Sequence, residues 1–157
     1  MKFNSIEKIG ITTGAFTFIF LGLYFLLMKI LGLVHVIEFR LLNAVIMFFG
    51  CYAAVKMSKK YLENFDFLKG YGAGLLTALV ASTLFTAFGI IYLNFIDPSF
   101  ILEIKRNEIL GVYQNKFIAT AQIFIEGTAS GFLFTHASVV RFKRDLTLEV
   151  EKIQSNR

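Results

Sequence analysis

The residue best suited to chemistry is Glu126, a carboxylic acid inside an otherwise uncharged run from Phe117 to Val140. An ionised side chain at the centre of a membrane helix costs roughly 2.5–3.5 kcal/mol, so such residues face a protein interior, a wet cavity or a partner. Gln122 lies four residues before it and Ser130 four after, on nearly the same helical face. Ala119, Ala129 and Ala137 fall close to that face. Phe117, Phe124, Phe132 and Val139 fall roughly opposite, where they would meet lipid. The spacing predicts a helix with a small polar side and a bulky side, and Glu126 pointing into the bundle or toward another chain. Three roles fit: a hydrogen bond to another span, binding of an ion, proton or polar substrate, or pairing with a cation on another subunit. His136, five residues before Arg141, completes the intramembrane polar set and reads as a hydrogen-bonded structural residue.

Other chemistries lack their residues. No pair of His stands at metal-ligand spacing, with His35 far from His136. Cys51 is the single cysteine and sits in an apolar run, so it reads as a small buried hydrophobe, with no intrachain disulfide or paired-Cys metal motif. Gly70-Tyr71-Gly72-Ala73-Gly74 is not followed by the Lys-Ser/Thr of a phosphate loop, and no G-x-S-x-G elbow occurs. The expectation is a protein with no catalytic residue, no metal and no cofactor.

The elements that must position Glu126 follow from charge-free runs. Gly70 to Ile96 holds 27 residues without an ionisable acid or base. A hydrocarbon core about 30 Å thick needs roughly 20 helical residues, so this run can span with some tilt. Three further runs join it, at 9–28, 41–55 and 117–140, giving an all-α membrane protein of four transmembrane helices in a single domain. The second run is short, and Arg40 and Lys56 would snorkel outward at its ends. The first is too long in its apolar part, and lacks the small-residue site, for a cleavable signal peptide. The whole chain is 56% hydrophobic and 17% charged, against about 45–50% and 25% in average globular domains. With no Trp, six Tyr must supply an interfacial belt.

Basic residues set the orientation. Lys2, Lys8, Lys56, Lys59, Lys60, Lys69, Arg141, Lys143, Arg144, Lys152 and Arg157 fall on one side; Lys29, Arg40, Lys105, Arg106 and Lys116 fall on the other. Eleven against five places both termini in the cytoplasm by the positive-inside rule, and an even number of spans agrees. The net charge of +5 then reflects orientation and anionic lipid rather than nucleic acid. Lys56, Lys59, Lys60, Lys69, Arg141, Lys143 and Arg144 are the headgroup contacts. In the outer loop, 97–116, Asp97-Pro98 starts a short amphipathic helix whose apolar positions 100, 101 and 104 share a face. It would lie on the membrane surface or dock a partner. The charged tail, 141–157, is helical at its start, and the alternation of Leu146, Leu148 and Val150 leaves the rest open.

Small residues mark the packing. Gly70, Gly74, Ala78, Ser82 and Thr86 recur every four residues, a stripe that lets another backbone approach. Gly10-x-x-x-Gly14 and Gly127-x-x-x-Gly131 are single G-x-x-x-G motifs. The spacing alone leaves open whether the facing helix is internal or belongs to another chain.

The stretch Phe67-Leu68-Lys69-Gly70-Tyr71, then a hydrophobic span, then Phe95-Ile96-Asp97-Pro98-Ser99-Phe100 resembles an uncharacterised family of small four-span proteins from Bacteroidota, a domain of unknown function. The resemblance implies a bacterial inner-membrane location and no activity. Small size and the absence of a catalytic constellation point to a non-catalytic accessory or assembly subunit of a larger membrane complex. The alternative is a small oligomeric transporter or ion-handling protein using Glu126. The expected partners are the lipid bilayer and other membrane subunits or copies of this chain, and no nucleic acid.

Overall fold

The computed structural model describes residues 5–34, 36–62, 66–107 and 111–155, without the side chains of 37, 38, 40 and 143–155. Helix α1 spans Ile6–Ile30, α2 Ile37–Tyr61, α3 Phe67–Ile91, α4 Phe100–Asn107 and α5 Lys116–Ser155. Ser5 caps α1 by accepting from the Lys8 backbone N–H at 3.3 Å. Gly32, at φ 69°, takes the left-handed conformation that ends α1, which a side chain would strain. A π-helical turn at Tyr92–Ile96 follows α3. The Asp97 carboxylate then accepts from the Phe100 N–H at 3.1 Å and from the Ser99 hydroxyl at 2.6 Å, the cap that Asp97-Pro98 predicts.

Four helices are long and apolar enough to cross a membrane, at Ile6–Ile30, Leu41–Tyr61, Phe67–Ile96 and Lys116–Phe142. They contain the four sequence runs and exceed them, because a helix does not stop where charge begins. The tail differs more. Helix α5 continues unbroken to Ser155 over 40 residues, a length of about 60 Å. Lys143 and Arg144 lie in this helix, and their side chains fall outside the described residues.

The bundle alternates in direction. Ile9, Ala54 and Ala73 form a core cluster at the end where α1 starts and α2 finishes, the tail end. Tyr92, Leu93, Phe100 and Ala119 form another at the opposite end, the α4 end. Helix α3 packs on α1, α2 and α5, with α1 and α5 on opposite sides of the α2–α3 pair.

The small-residue stripe closes the seam between α3 and α5. A Cβ built on Gly74 would lie 2.6 Å from Thr135 Cγ2, while Gly131 faces Ala78 and Gly127 faces Ser82 too closely for any added carbon. Gly70 is buried and Thr86 half-buried. On the other side, added carbons at Gly10 and Gly14 would lie 2.7 Å from Leu76 and Val80 Cβ. The stripe is therefore spent on internal packing, which answers the question its spacing leaves open.

Two sequence expectations change. Val139, expected to face lipid, is 1% exposed and packs with Val55 and Phe142, whereas Ala129 and Ala137 are exposed. Gly131, Thr135 and Ser138 let α5 sink between α2 and α3, so this part of its buried face is rotated from the Glu126 stripe. Helix α4 also differs from a surface helix lying on lipid. Phe100 is 5% exposed, and Ile101 and Ile104 pack with it onto the bundle's own aromatic cluster.

Candidate functional site

Toward the tail end α2 and α5 are tightly joined. Phe48 meets Phe134 edge-on at 5.7 Å, Tyr52 stacks on Phe142 at 5.2 Å, and Cys51 is fully buried between Gly74 and Gly131. Toward the α4 end the interior opens into two cavities of about 150 and 310 Å³. Asn43, Phe85, Ile123 and Glu126 line both. The smaller is walled by Phe25, Phe85, Phe88 and Tyr92 and roofed by Phe100 and Ile104 of α4. Phe25 meets the other rings edge-on, centred 5.1 Å from Tyr92 and 6.0 Å from Phe100.

Glu126 stands where the two cavities meet. It is exposed rather than directed into the chain's own core. The reason is geometric: Gly127, next in sequence, takes the contact with α3 at Ser82 and turns its neighbour out of the seam. Gln122 donates from Nε2 to Glu126 Oε1 at 2.7 Å, and Gln114 donates from Nε2 to Gln122 Oε1 at 2.9 Å. The accepting carboxyl oxygen orients Gln122, and Gln122 orients Gln114. The chain of amides ends in Gln114 Oε1, which is buried without a partner among the described residues, as is Asn43 Oδ1. Gln114 itself is 7% exposed. Ser82 Oγ is likewise unpartnered, on the wall of the larger cavity. Among the described residues no basic side chain pairs with Glu126.

The other polar candidates separate. Ser130 lines the larger cavity and bonds its own helix at Gly127 O, 3.1 Å away. His136 is exposed and meets Tyr71 edge-on at 6.4 Å. Ten residues along one helix put it about 15 Å from Glu126. Asn43 and Gln114 are the site residues that sequence reading passes over. Asn43 carries a signal, since it is an amide two residues into an apolar run; Gln114 lies outside every run and is brought in by the fold.

A second polar cluster holds the cavity roof. Lys29 Nζ lies 3.1 Å from Asp97 Oδ2, 3.1 Å from Glu103 Oε2 and 4.1 Å above the Phe100 ring. It ties the end of α1 to α4. Hydrogen bonds from Ser99 and Lys29 hold the Asp97 carboxyl below its ordinary range. At the tail end Lys56, Lys60 and Arg141 are exposed, and Lys59 lies 5.9 Å from the Phe142 ring centre. Lys69 is half-buried in the first turn of α3.

No curated protein and no solved structure matches the chain. Residues 8–138 match the family described as Protein of unknown function (DUF4199), a stretch that runs from within the first span into the fourth and includes every polar residue of the cavity. The chain is a member of that uncharacterised family, with four helices fit to cross a membrane.

Proposed function

We propose that this is a non-catalytic multi-pass membrane protein that handles a cation at Glu126, in the manner of a small transporter or ion-handling protein. One observation carries the reading: the carboxylate of Glu126 stands at the junction of two cavities and orients the Gln122 and Gln114 amides that line the smaller one. An intramembrane acid facing a cavity is where solute or ion binding resides in membrane proteins. The test is flux of inorganic and small organic cations into proteoliposomes of the purified chain. Flux that falls to the empty-vesicle level in Glu126→Gln supports the reading. Equal flux in both proteins, or none in either, refutes it.

A second reading, an accessory or assembly subunit, is favoured by the exposure of Glu126 on the lone chain. An exposed carboxylate at that depth calls for a covering partner, a copy of this chain or a different subunit. Gentle purification from the native membrane followed by mass spectrometry separates these readings. Stoichiometric larger subunits support the accessory role, and a chain that runs alone or with its own copies removes it. The orientation proposed is both termini in the cytoplasm of a bacterial inner membrane, with α4 outside. The excess of Lys and Arg at the tail end supports it, as does the neutralisation of Lys29 by two carboxylates at the other end. Labelling of a cysteine introduced at Ser155, from either side of oriented vesicles, tests it.

A further inference from the structure

We propose that the cavity beside Glu126 binds a primary ammonium group carried on a compact apolar body. The proposal rests on the cation-handling role of Glu126 and names the class of cation. Three observations select that class. First, in the residues that line the smaller cavity, the buried side-chain atoms with no hydrogen-bond partner among the described residues are acceptors. Gln114 Oε1 and Asn43 Oδ1 are both buried and unmatched. Gln114 is oriented that way by the amide chain that runs from the Glu126 carboxylate. An unmatched buried acceptor costs about 1–3 kcal/mol, so a ligand that brings donors to it recovers that cost. A primary ammonium carries three donors, and a quaternary one carries none.

Second, much of the remaining wall is aromatic. Phe25, Phe85, Phe88 and Tyr92 line the same space. Rings attract a cation within about 6 Å of their centres, and more so where water is scarce. The chain already shows the pairing at the cavity roof, where the Lys29 ammonium lies 4.1 Å above Phe100. A bare inorganic ion uses such a wall poorly, because it would need oxygen ligands around its whole surface.

Third, the space fits. The smaller cavity measures about 150 Å³. An apolar cavity of about that volume accommodates benzene. The larger one, about 310 Å³, meets it at Glu126 and extends past Met47 and Leu21, which suits an aliphatic or aromatic body.

A free amine and the ethanolamine headgroup of a lipid offer the same chemistry, and the test tells them apart. Binding of phenethylammonium to the full-length chain is measured calorimetrically in phosphatidylcholine nanodiscs. The comparison ligands are 2-phenylethanol, benzyltrimethylammonium, sodium and potassium. The expected result is phenethylammonium binding at least tenfold tighter than 2-phenylethanol and than benzyltrimethylammonium. Glu126→Gln weakens it by tenfold or more, with Cys51 still shielded from maleimide to show that the variant is folded. Repeating the titration with phosphatidylethanolamine in the discs assigns the source: suppressed binding marks the lipid headgroup, and unchanged binding marks a free amine. Glu126-dependent binding of sodium or potassium without phenethylammonium overturns the ammonium assignment and leaves the cation role of Glu126 standing. Equal binding of the alcohol or of the quaternary cation overturns the assignment as well. No Glu126-dependent binding of any of these overturns both.

Discussion

Replacing Gly131 with alanine tests whether the small-residue stripe belongs to this chain's own packing. A Cβ built on Gly131 falls inside the contact distance of Ala78 Cβ, lies 3.4 Å from Ala78 Cα and 3.9 Å from Cys51 Sγ. Ala78 cannot rotate away, since its only side-chain carbon is fixed by the backbone. Helices α3 and α5 must therefore separate, which loosens the contacts at Gly74 with Thr135 and at Gly127 with Ser82 along the same seam. Forcing an extra carbon into a packed core costs about 1–3 kcal/mol, or about 5- to 150-fold in the unfolding equilibrium. The assay is denaturation in mixed micelles, with release of Cys51 to maleimide as the signal. Ala78→Gly removes the opposing carbon, so Gly131→Ala combined with Ala78→Gly should regain most of the loss. Gly22, with nothing within 4 Å of an added Cβ, is the control and should accept alanine without penalty. If Gly131→Ala is as stable as the parent, or if Ala78→Gly fails to compensate, the two helices do not meet as described. The stripe would then be available to a partner after all.

Lys29→Met removes two ion pairs and a cation–π contact from α4. These partly exposed interactions together are worth about 1–3 kcal/mol, so amide exchange over 100–107 should accelerate by about 5- to 150-fold, and unchanged exchange would dismiss the latch. Because the Asp97 carboxyl is held below its ordinary value of 3.8, its stabilisation is complete above that pH and is lost as pH falls through the lower, folded-state value. Exchange in α4 should therefore stay flat from pH 7 to 5 apart from the intrinsic rate, and loosening within that window would count against Asp97 as the anchor. Cys51 is 0% exposed and bonded toward Gly74 O and Gly131 O. It should react with maleimide only as the bundle opens, and prompt labelling of the folded chain would contradict the α2–α5 seam.

Much of the architecture is legible in the chain itself. Runs such as Gly70 to Ile96 declare their length and solvent, because an uncharged helix of that size has no stable place except lipid or a core. Asp97-Pro98 announces the start of α4, because an Asp side chain and a proline ring each satisfy a first-turn constraint that is local. The four-residue stripe on α3 predicts a close helix approach for the same reason: only the absence of side-chain bulk permits it. The membrane reading, the four spans and the suspicion of Glu126 all come from such local or one-dimensional facts.

The site was decided elsewhere. Which way Glu126 faces depends on how deeply α5 sinks against α3, and that depth is set by the meeting of Gly127 with Ser82 and of Gly131 with Ala78, four residues on two helices. Periodicity gives the angle between two residues on a helix, but not the angle of the helix to its neighbours. Val139 turned inward and Ala129 outward on that account. The amphipathic face of α4 could have met lipid or protein, and the π turn at Tyr92–Ile96 and the reach of Lys29 brought it onto the bundle. The cavity itself joins Phe25, Asn43, Phe85, Gln114 and Glu126, residues from four separate parts of the sequence. Polar atoms left unmatched there are a property of packing, since an acceptor is unsatisfied only once the fold has removed its water and supplied nothing in return.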